Sequence, residues 1–407
     1  MTENKPKLKN EWTYKNIDEL AYFERGKEPG SASYNRQGEG LRFIRVVDLS
    51  GSRNNVLYTN KQIKELKSCS EKDILISLDG SPGLIKRGLT GAYSAGIRKV
   101  TLKTKELDYD FLYFVLKSDI VQEKIQEYSE GVTIKHASQA LKHIKIPVPP
   151  IPEQNKIVYI LSKIEEAITI QKKMVNISKQ LKTSTMHKLF MGGIWHKEFK
   201  ETEIGRIPQN WGVEKLIKLT EKTEQKDMRK ENVEFKYIDV SGVNNKSFAI
   251  TSYSLHKGKN APSRARKIVR LNDTIIATVR PTLKHIALIK KEYDNQICST
   301  AFCVLRPING CLIPAFLYYS IQQDVFINKL AGLQKGASYP AVTDLQIKNQ
   351  KIGIPQIQEQ QHISNILSLI DSKLWIEESR KEILKKLFFT VLNKLMLGEI
   401  MTNKSEF

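Results

Sequence analysis

The chain has 407 residues, 40% hydrophobic and 27% charged, enough for a buried core in each of two or three domains and against a predominantly disordered chain. Its 65 Lys and Arg against 44 Asp and Glu leave a net charge of +21, which favours a polyanionic partner, either nucleic acid or an anionic membrane surface. The opening MTENKPKLKNEW has no apolar centre and no apolar run reaches about 18 residues, so neither secretion nor membrane spanning is expected. Cys69, Cys298, Cys303 and Cys311 form no CxxC pair, which predicts neither a zinc site nor a disulfide framework and fits a reducing cytoplasm.

After Trp12, strand-like segments follow at 41–50 (LRFIRVVDLS), 73–78 (DILISL) and 97–103 (IRKVTLK), separated by Gly, Ser, Asn and Asp. A helical pattern starts at Asp108 (DYDFLYFVLKSDIVQEKIQEYS), and a loop, GVTIKHASQALKHIKIPVPPIP, closes the segment. Prolines at 147, 149, 150 and 152 forbid helix through Ile151 and favour an extended exit. From Ile151 to Gly193 one long helix is predicted. Trp211 then reopens the same order, with EFKYIDVSG at 234–242, LNDTIIATV at 271–279, a helical IPAFLYYSIQQDVFINKL at 313–330, and a closing loop at 336–360.

A second long helical pattern runs from Ile357. The Glu153-Gln154 and Glu359-Gln360 pairs lie 206 positions apart, and that shift holds without a gap from Ile157/Ile363 to Leu189/Leu395. In the globular parts the shift drifts, being 199 between Trp12 and Trp211. The helices therefore read as framework and the globular parts as diverged readers. Ile363, Leu367, Ile370, Leu374, Leu384, Phe388, Val391 and Leu395 step by threes and fours, as do Ile157, Leu161, Ile164, Ile168 and Val175. This is a coiled-coil seam, and each copy is the other's natural partner. The first copy turns polar through Ser178 and Lys182. At 1.5 Å per residue each helix would reach roughly 57 Å, too long for one small domain to cover, which favours an extended pair over two helices packed on their own domains.

Catalytic motifs are missing: there is no HExxH, GxSxG or EF-hand loop, and the near P-loop at Gly83–Thr90 has Leu89 where a lysine is needed. The basic residues are better read as duplex contacts, since Arg and Lys bind phosphates or guanine, and Ser, Thr, Asn and Gln reach several bases. In the first half the candidates are Ser81, Lys86, Arg87, Thr90, Arg98 and Lys99, with Thr133, Lys135 and His136 in the loop before the prolines. In the second half they are Lys257, Lys259, Arg264, Arg266, Arg280 and Lys284, with Lys335, Ser338 and Tyr339 in the matching loop. The run from Lys257 to Lys291 appears almost unopposed, with Asp273 as its acid, and Arg264 and Arg280 stand out because arginine donates bidentately.

Two diverged readers, each followed by a matching helix opened by IPVPPIPEQNKI (146–157) or IPQIQEQQHI (354–363), resemble the DNA-specificity (S) subunit of Type I restriction-modification systems. IPQNW at 207–211 and NEW at 10–12 support the likeness, which spans essentially the whole chain; Gln356 and Gln358 replace the prolines of the first copy. The resemblance implies an α+β fold with two globular target-recognition domains joined by two long antiparallel coiled-coil helices in a pseudo-two-fold internal repeat. The boundaries expected are 1–150 and 196–356 for the recognition domains, 151–195 for the first helix, and 357–407 for the second helix and tail.

It further implies a non-catalytic subunit that reads a bipartite, asymmetric site, with half-sites roughly 34 Å apart. The helices would set the spacer and dock two methyltransferase (M) subunits. S-adenosylmethionine would serve adenine methylation there, and ATP with Mg would serve translocating restriction (R) subunits, so no cofactor or metal is expected in this chain. The rival is a coiled-coil scaffold joining two basic domains that bind nucleic acid without sequence specificity, which leaves the divergence of the readers unexplained.

Overall fold

The computed structural model describes residues 12–51, 55–60, 66–131, 135–336 and 340–400. It mixes helix and sheet, and it divides into two compact units. One comprises the chain up to Lys172 together with the segment from Ser379 on; the other is Lys173–Glu378. The helices Ile151–Gly192 and Ile357–Met396, of 42 and 40 residues, each contribute to both units. The first begins at Ile151, inside the proline run, because Pro152 sits in the opening turn, where a missing N–H costs nothing.

In the first unit, strand Thr13–Asn16 pairs antiparallel with Lys145–Val148, so the two ends of the globular segment meet. An antiparallel sheet follows the order Ala21–Arg25, Ile97–Leu102, Ile74–Ser77, Ile85–Lys86. A second sheet contains Leu41–Ile44 beside the parallel strand Gly91–Tyr93. The expected strand over 41–50 is shorter, because Asp48 accepts from the Arg45 backbone N–H at 2.7 Å and turns Val46–Ser50 into a helix. The expected helix from Asp108 divides at Ser118 into Tyr109–Lys117 and Asp119–Glu127. Its core gathers Ile17, Leu20, Phe111, Leu112 and Phe114 with Ile157 and Leu161 of the first long helix and Leu392, Leu395 and Met396 of the second.

The second unit repeats the plan. Gly212–Lys215 pairs with Lys351–Ile354, and Thr274–Ala277 lies between Ile286–Leu288 and Phe302–Leu305. Glu234–Ile238 sits beside the parallel strand Gln296–Ser299. Here too the expected strands are shorter and the helix from Pro314 stops at Ser320, before Asp324–Leu333. Trp211, Phe316, Leu317 and Leu330 pack with Ile363 and Leu367 of the second long helix and Leu189 and Phe190 of the first. Within this unit the two helical segments run antiparallel: Lys179 meets Glu378 at 2.8 Å, and Lys182 meets Asp371 at 2.6 Å.

The thirteen seam positions are all buried or half-buried. Their surroundings are mixed, however. Towards each end the seam is absorbed into a globular core, as Ile157 and Leu161 are in the first unit and Ile363 and Leu367 in the second. Packing on a domain and pairing of helices thus occur along one stripe of side chains.

Candidate nucleic-acid interface

Two devices fix the start of each long helix to its unit. Glu153 accepts from the Trp12 indole N–H at 2.8 Å, and Glu359 accepts from that of Trp211 at 3.1 Å. Next to each glutamate a fully buried glutamine fills its amide on backbone groups. Gln154 accepts from Asp108 N–H (2.7 Å) and donates to the carbonyls of Glu106 (2.8 Å) and Pro149 (2.7 Å). Gln360 accepts from Ile313 N–H (2.9 Å) and donates to Cys311 (3.2 Å) and Pro355 (3.0 Å). About three turns further on, Glu165 and Asp371 accept the hydroxyls of Tyr113 (3.0 Å) and Tyr319 (2.9 Å). Burial, chiefly, raises both tyrosine pKa values and lowers that of Lys117, which pairs with Glu165 at 2.6 Å. The scaffold beneath each reader is therefore the same in kind.

At the far end of the central strand of each unit two loops meet in matching hydrogen bonds. In the first unit Ala137 N–H donates to Leu78 O at 2.8 Å, and Lys135-His136 pair with Gly80-Asp79. In the second, Val342 N–H donates to Thr278 O at 2.9 Å, and Arg280 N–H donates to Pro340 O at 2.7 Å. The candidates at these tips are carried on a backbone fixed from both sides.

Around the first tip Ser81, Lys86, Lys135 and His136 are exposed; His136 lies 2.8 Å from Asp79. Thr90 is exposed on the approach to strand Gly91–Tyr93, and Lys99 is half-buried, 3.2 Å from Ser68 O and 3.5 Å from Glu24. Arg98 does not fit a groove-facing role. It is 6% exposed, and its guanidinium donates to Ala95 O (2.7 Å), Asp79 (3.1 Å) and Ser138 Oγ (3.0 Å). Burial lowers its pKa from the ordinary arginine value, against the pull of Asp79. Arg87 is likewise committed inside the unit: it pairs with Asp110, donates to Tyr109 O at 2.9 Å and lies 4.1 Å from the Tyr113 ring centre. Thr133 is outside the described residues. Arg25, from a strand distant in sequence, is exposed beside this tip, with Nε donating to Ala95 O at 3.2 Å. No motif around it marks it in the sequence.

Around the second tip Arg264, Arg280 and Lys335 are exposed, and they hang on one set of backbone bonds. Thr300 N–H donates to Arg264 O (2.9 Å), Thr278 N–H to Ala301 O (2.8 Å), and Lys335 and Ala341 exchange bonds at 3.1 and 3.0 Å. Lys257 and Lys259 are exposed on the strand and turn Ser254–Asn260. Arg266 is half-buried, donating to Ser263 O at 3.0 Å and facing Asp227 at 3.6 Å. Lys284 is a tether, with Nζ on Gln322 O (3.1 Å) and Asp324 (2.6 Å). Ser338 and Tyr339 are outside the described residues. The basic run from 257 to 291 is less unopposed than it reads: Lys267 pairs with Asp344 at 2.5 Å and Arg270 with Glu224 at 2.6 Å.

Comparison with known proteins adds a family. A family model described as "Type I restriction modification DNA specificity domain" matches residues 9–180 and 208–386. The MjaVIII specificity subunit of a Type I restriction enzyme from Methanocaldococcus jannaschii is 26% identical, covering 98% of this chain and 96% of that protein. The EcoBI specificity subunit of Escherichia coli is 21% identical over 88% of this chain and 78% of its own length. The crystal structure of a Type I restriction-modification S subunit from M. genitalium shares the fold at 19% identity, with a TM-score of 0.58 over 96% of this chain and 98% of that one.

Proposed function

We propose, since this chain belongs to the Type I restriction modification DNA specificity family, that it is the sequence-reading and itself non-catalytic subunit of a restriction-modification complex. Each unit reads one part of a bipartite, asymmetric DNA site. The two long helices set the spacer between the parts and dock two M subunits, to which R subunits are added. S-adenosylmethionine belongs to the M subunits and ATP with Mg to the R subunits, and the complex works in the cytoplasm. No helix among the described residues is long and apolar enough to cross a membrane.

One observation carries the reading. The two loop tips share their backbone hydrogen bonds but not their side chains, so one scaffold presents two different surfaces. Two readers that differ call for an asymmetric target. The docking role is supported by large apolar side chains left exposed on the second long helix, with Leu369 at 71% and Trp375 at 70%.

Exchanging residues 1–150 for the corresponding segment of another family member tests the reading. Methylation-site mapping of the assembled chimera is expected to show one altered half-site and one retained. Alteration of both halves refutes modular reading.

A further inference from the structure

The two tips differ at two backbone positions that both units hold left-handed. In the first unit the chain leaves strand Ile74–Ser77 through Gly80 (φ +86) and Gly83 (φ +93). In the second it leaves Thr274–Ala277 through Arg280 (φ 47, ψ 54) and Lys284 (φ 56, ψ 42). Hydrogen bonds fix the equivalence. Gly80 and Arg280 each lie two residues past the carbonyl, Leu78 or Thr278, that accepts from the closing loop. Gly83 and Lys284 each precede the residue, Leu84 or His285, whose carbonyl accepts from the last residue of the strand at 2.9 Å.

Glycine enters this conformation freely, whereas any other L-residue brings its Cβ against its own backbone. A Cβ on Gly80 would meet nothing within 4 Å, so room is not what selects glycine there. The second unit places two long basic residues where the first follows the backbone's preference. Strain of this kind persists where the surroundings over-determine it and the side chain has a use. For Lys284 the use is visible in its bonds to Gln322 O and Asp324, which tether the tip to helix Asp324–Leu333. Arg280 is held by its backbone: its N–H donates to Pro340 O at 2.7 Å, and its carbonyl accepts from Leu283 N–H at 2.9 Å. Pro281 follows and favours an extended conformation in the residue before it, which adds to the strain at Arg280. The side chain itself is exposed, beside the exposed Arg264 and Lys335.

We propose that Arg280 is a specificity-determining residue of the second unit, donating bidentately to O6 and N7 of a guanine in the major groove, with Lys284 as the positioning residue behind it. The inference rests on reading this chain as a DNA-specificity subunit. A base contact, unlike a phosphate contact, needs a fixed backbone beneath a planar fork, and that combination is present here.

The test uses the full chain co-purified with its methyltransferase subunits and a randomised duplex library, comparing wild type with R280G, R280A and R280K. Wild type is expected to select a two-part motif. R280G and R280A are expected to lose preference at one guanine in one part only, with roughly 10- to 100-fold weaker binding to the wild-type motif. R280G should melt no lower than R280A, because both lack the guanidinium and only glycine relieves the backbone strain. R280K keeps the charge but should not restore the guanine preference. An unchanged motif in R280G and R280A overturns the proposal, as does a loss of affinity equal on all duplexes, which marks a phosphate contact. Failure of wild type to select any motif overturns the DNA-reading premise instead.

Discussion

Gln154 and Gln360 each satisfy three backbone groups with a single buried amide, and no smaller side chain reaches all three. Leaving a buried donor or acceptor unpaired costs about 1–3 kcal/mol. Gln154→Ala and Gln360→Ala are therefore expected to lower stability by roughly 2–4 kcal/mol each, seen in urea unfolding, and unshifted midpoints would contradict the role. The Glu-Gln pairs are legible in the sequence as repeat markers, but their work is not. The indoles that the two glutamates hold are 141 and 148 positions away. The same distance effect misleads the reading of charge. Lys267, Arg270 and Lys284 look unopposed in their own stretch, yet Asp344, Glu224 and Asp324 reach them through the fold. Arg98 looks like a surface cation and is a buried brace. The Arg280 side chain is exposed.

At the scale of the element, the polar stretch of the first long helix has a physical account. Ser178 is buried, and Lys182, 9% exposed, pairs with Asp371, which also accepts the Tyr319 hydroxyl. In the 206-residue register Lys182 corresponds to Phe388, which in the first unit packs against Phe114 with ring centres 6.1 Å apart. One seam position thus takes an ion pair in one unit and an aromatic ring in the other. Lys182→Met should cost about 1–3 kcal/mol by leaving Asp371 without its cation, and adding Asp371→Asn should recover most of that loss. Thermal melts showing no effect of the single change, or a double change worse than the single, would contradict the pairing. The long helices themselves were readable because heptad spacing is local. The break at Ser118 was not, since large apolar residues continue on both sides of it.

At the scale of the whole molecule, the excess of basic residues, the duplicated framework and the two unlike tips converge on one function. Positive charge gives affinity for a polyanion without choosing a sequence, and contacts to base edges supply the choice. A duplicated scaffold with diverged tips has little purpose in a uniform binder. The most direct measurement is methylation-site mapping of DNA exposed to the complex assembled on this chain. The account predicts one asymmetric motif in two parts, separated by a spacer of fixed length at which any base is tolerated. A palindromic or uninterrupted motif, or methylation without any sequence preference, would contradict it.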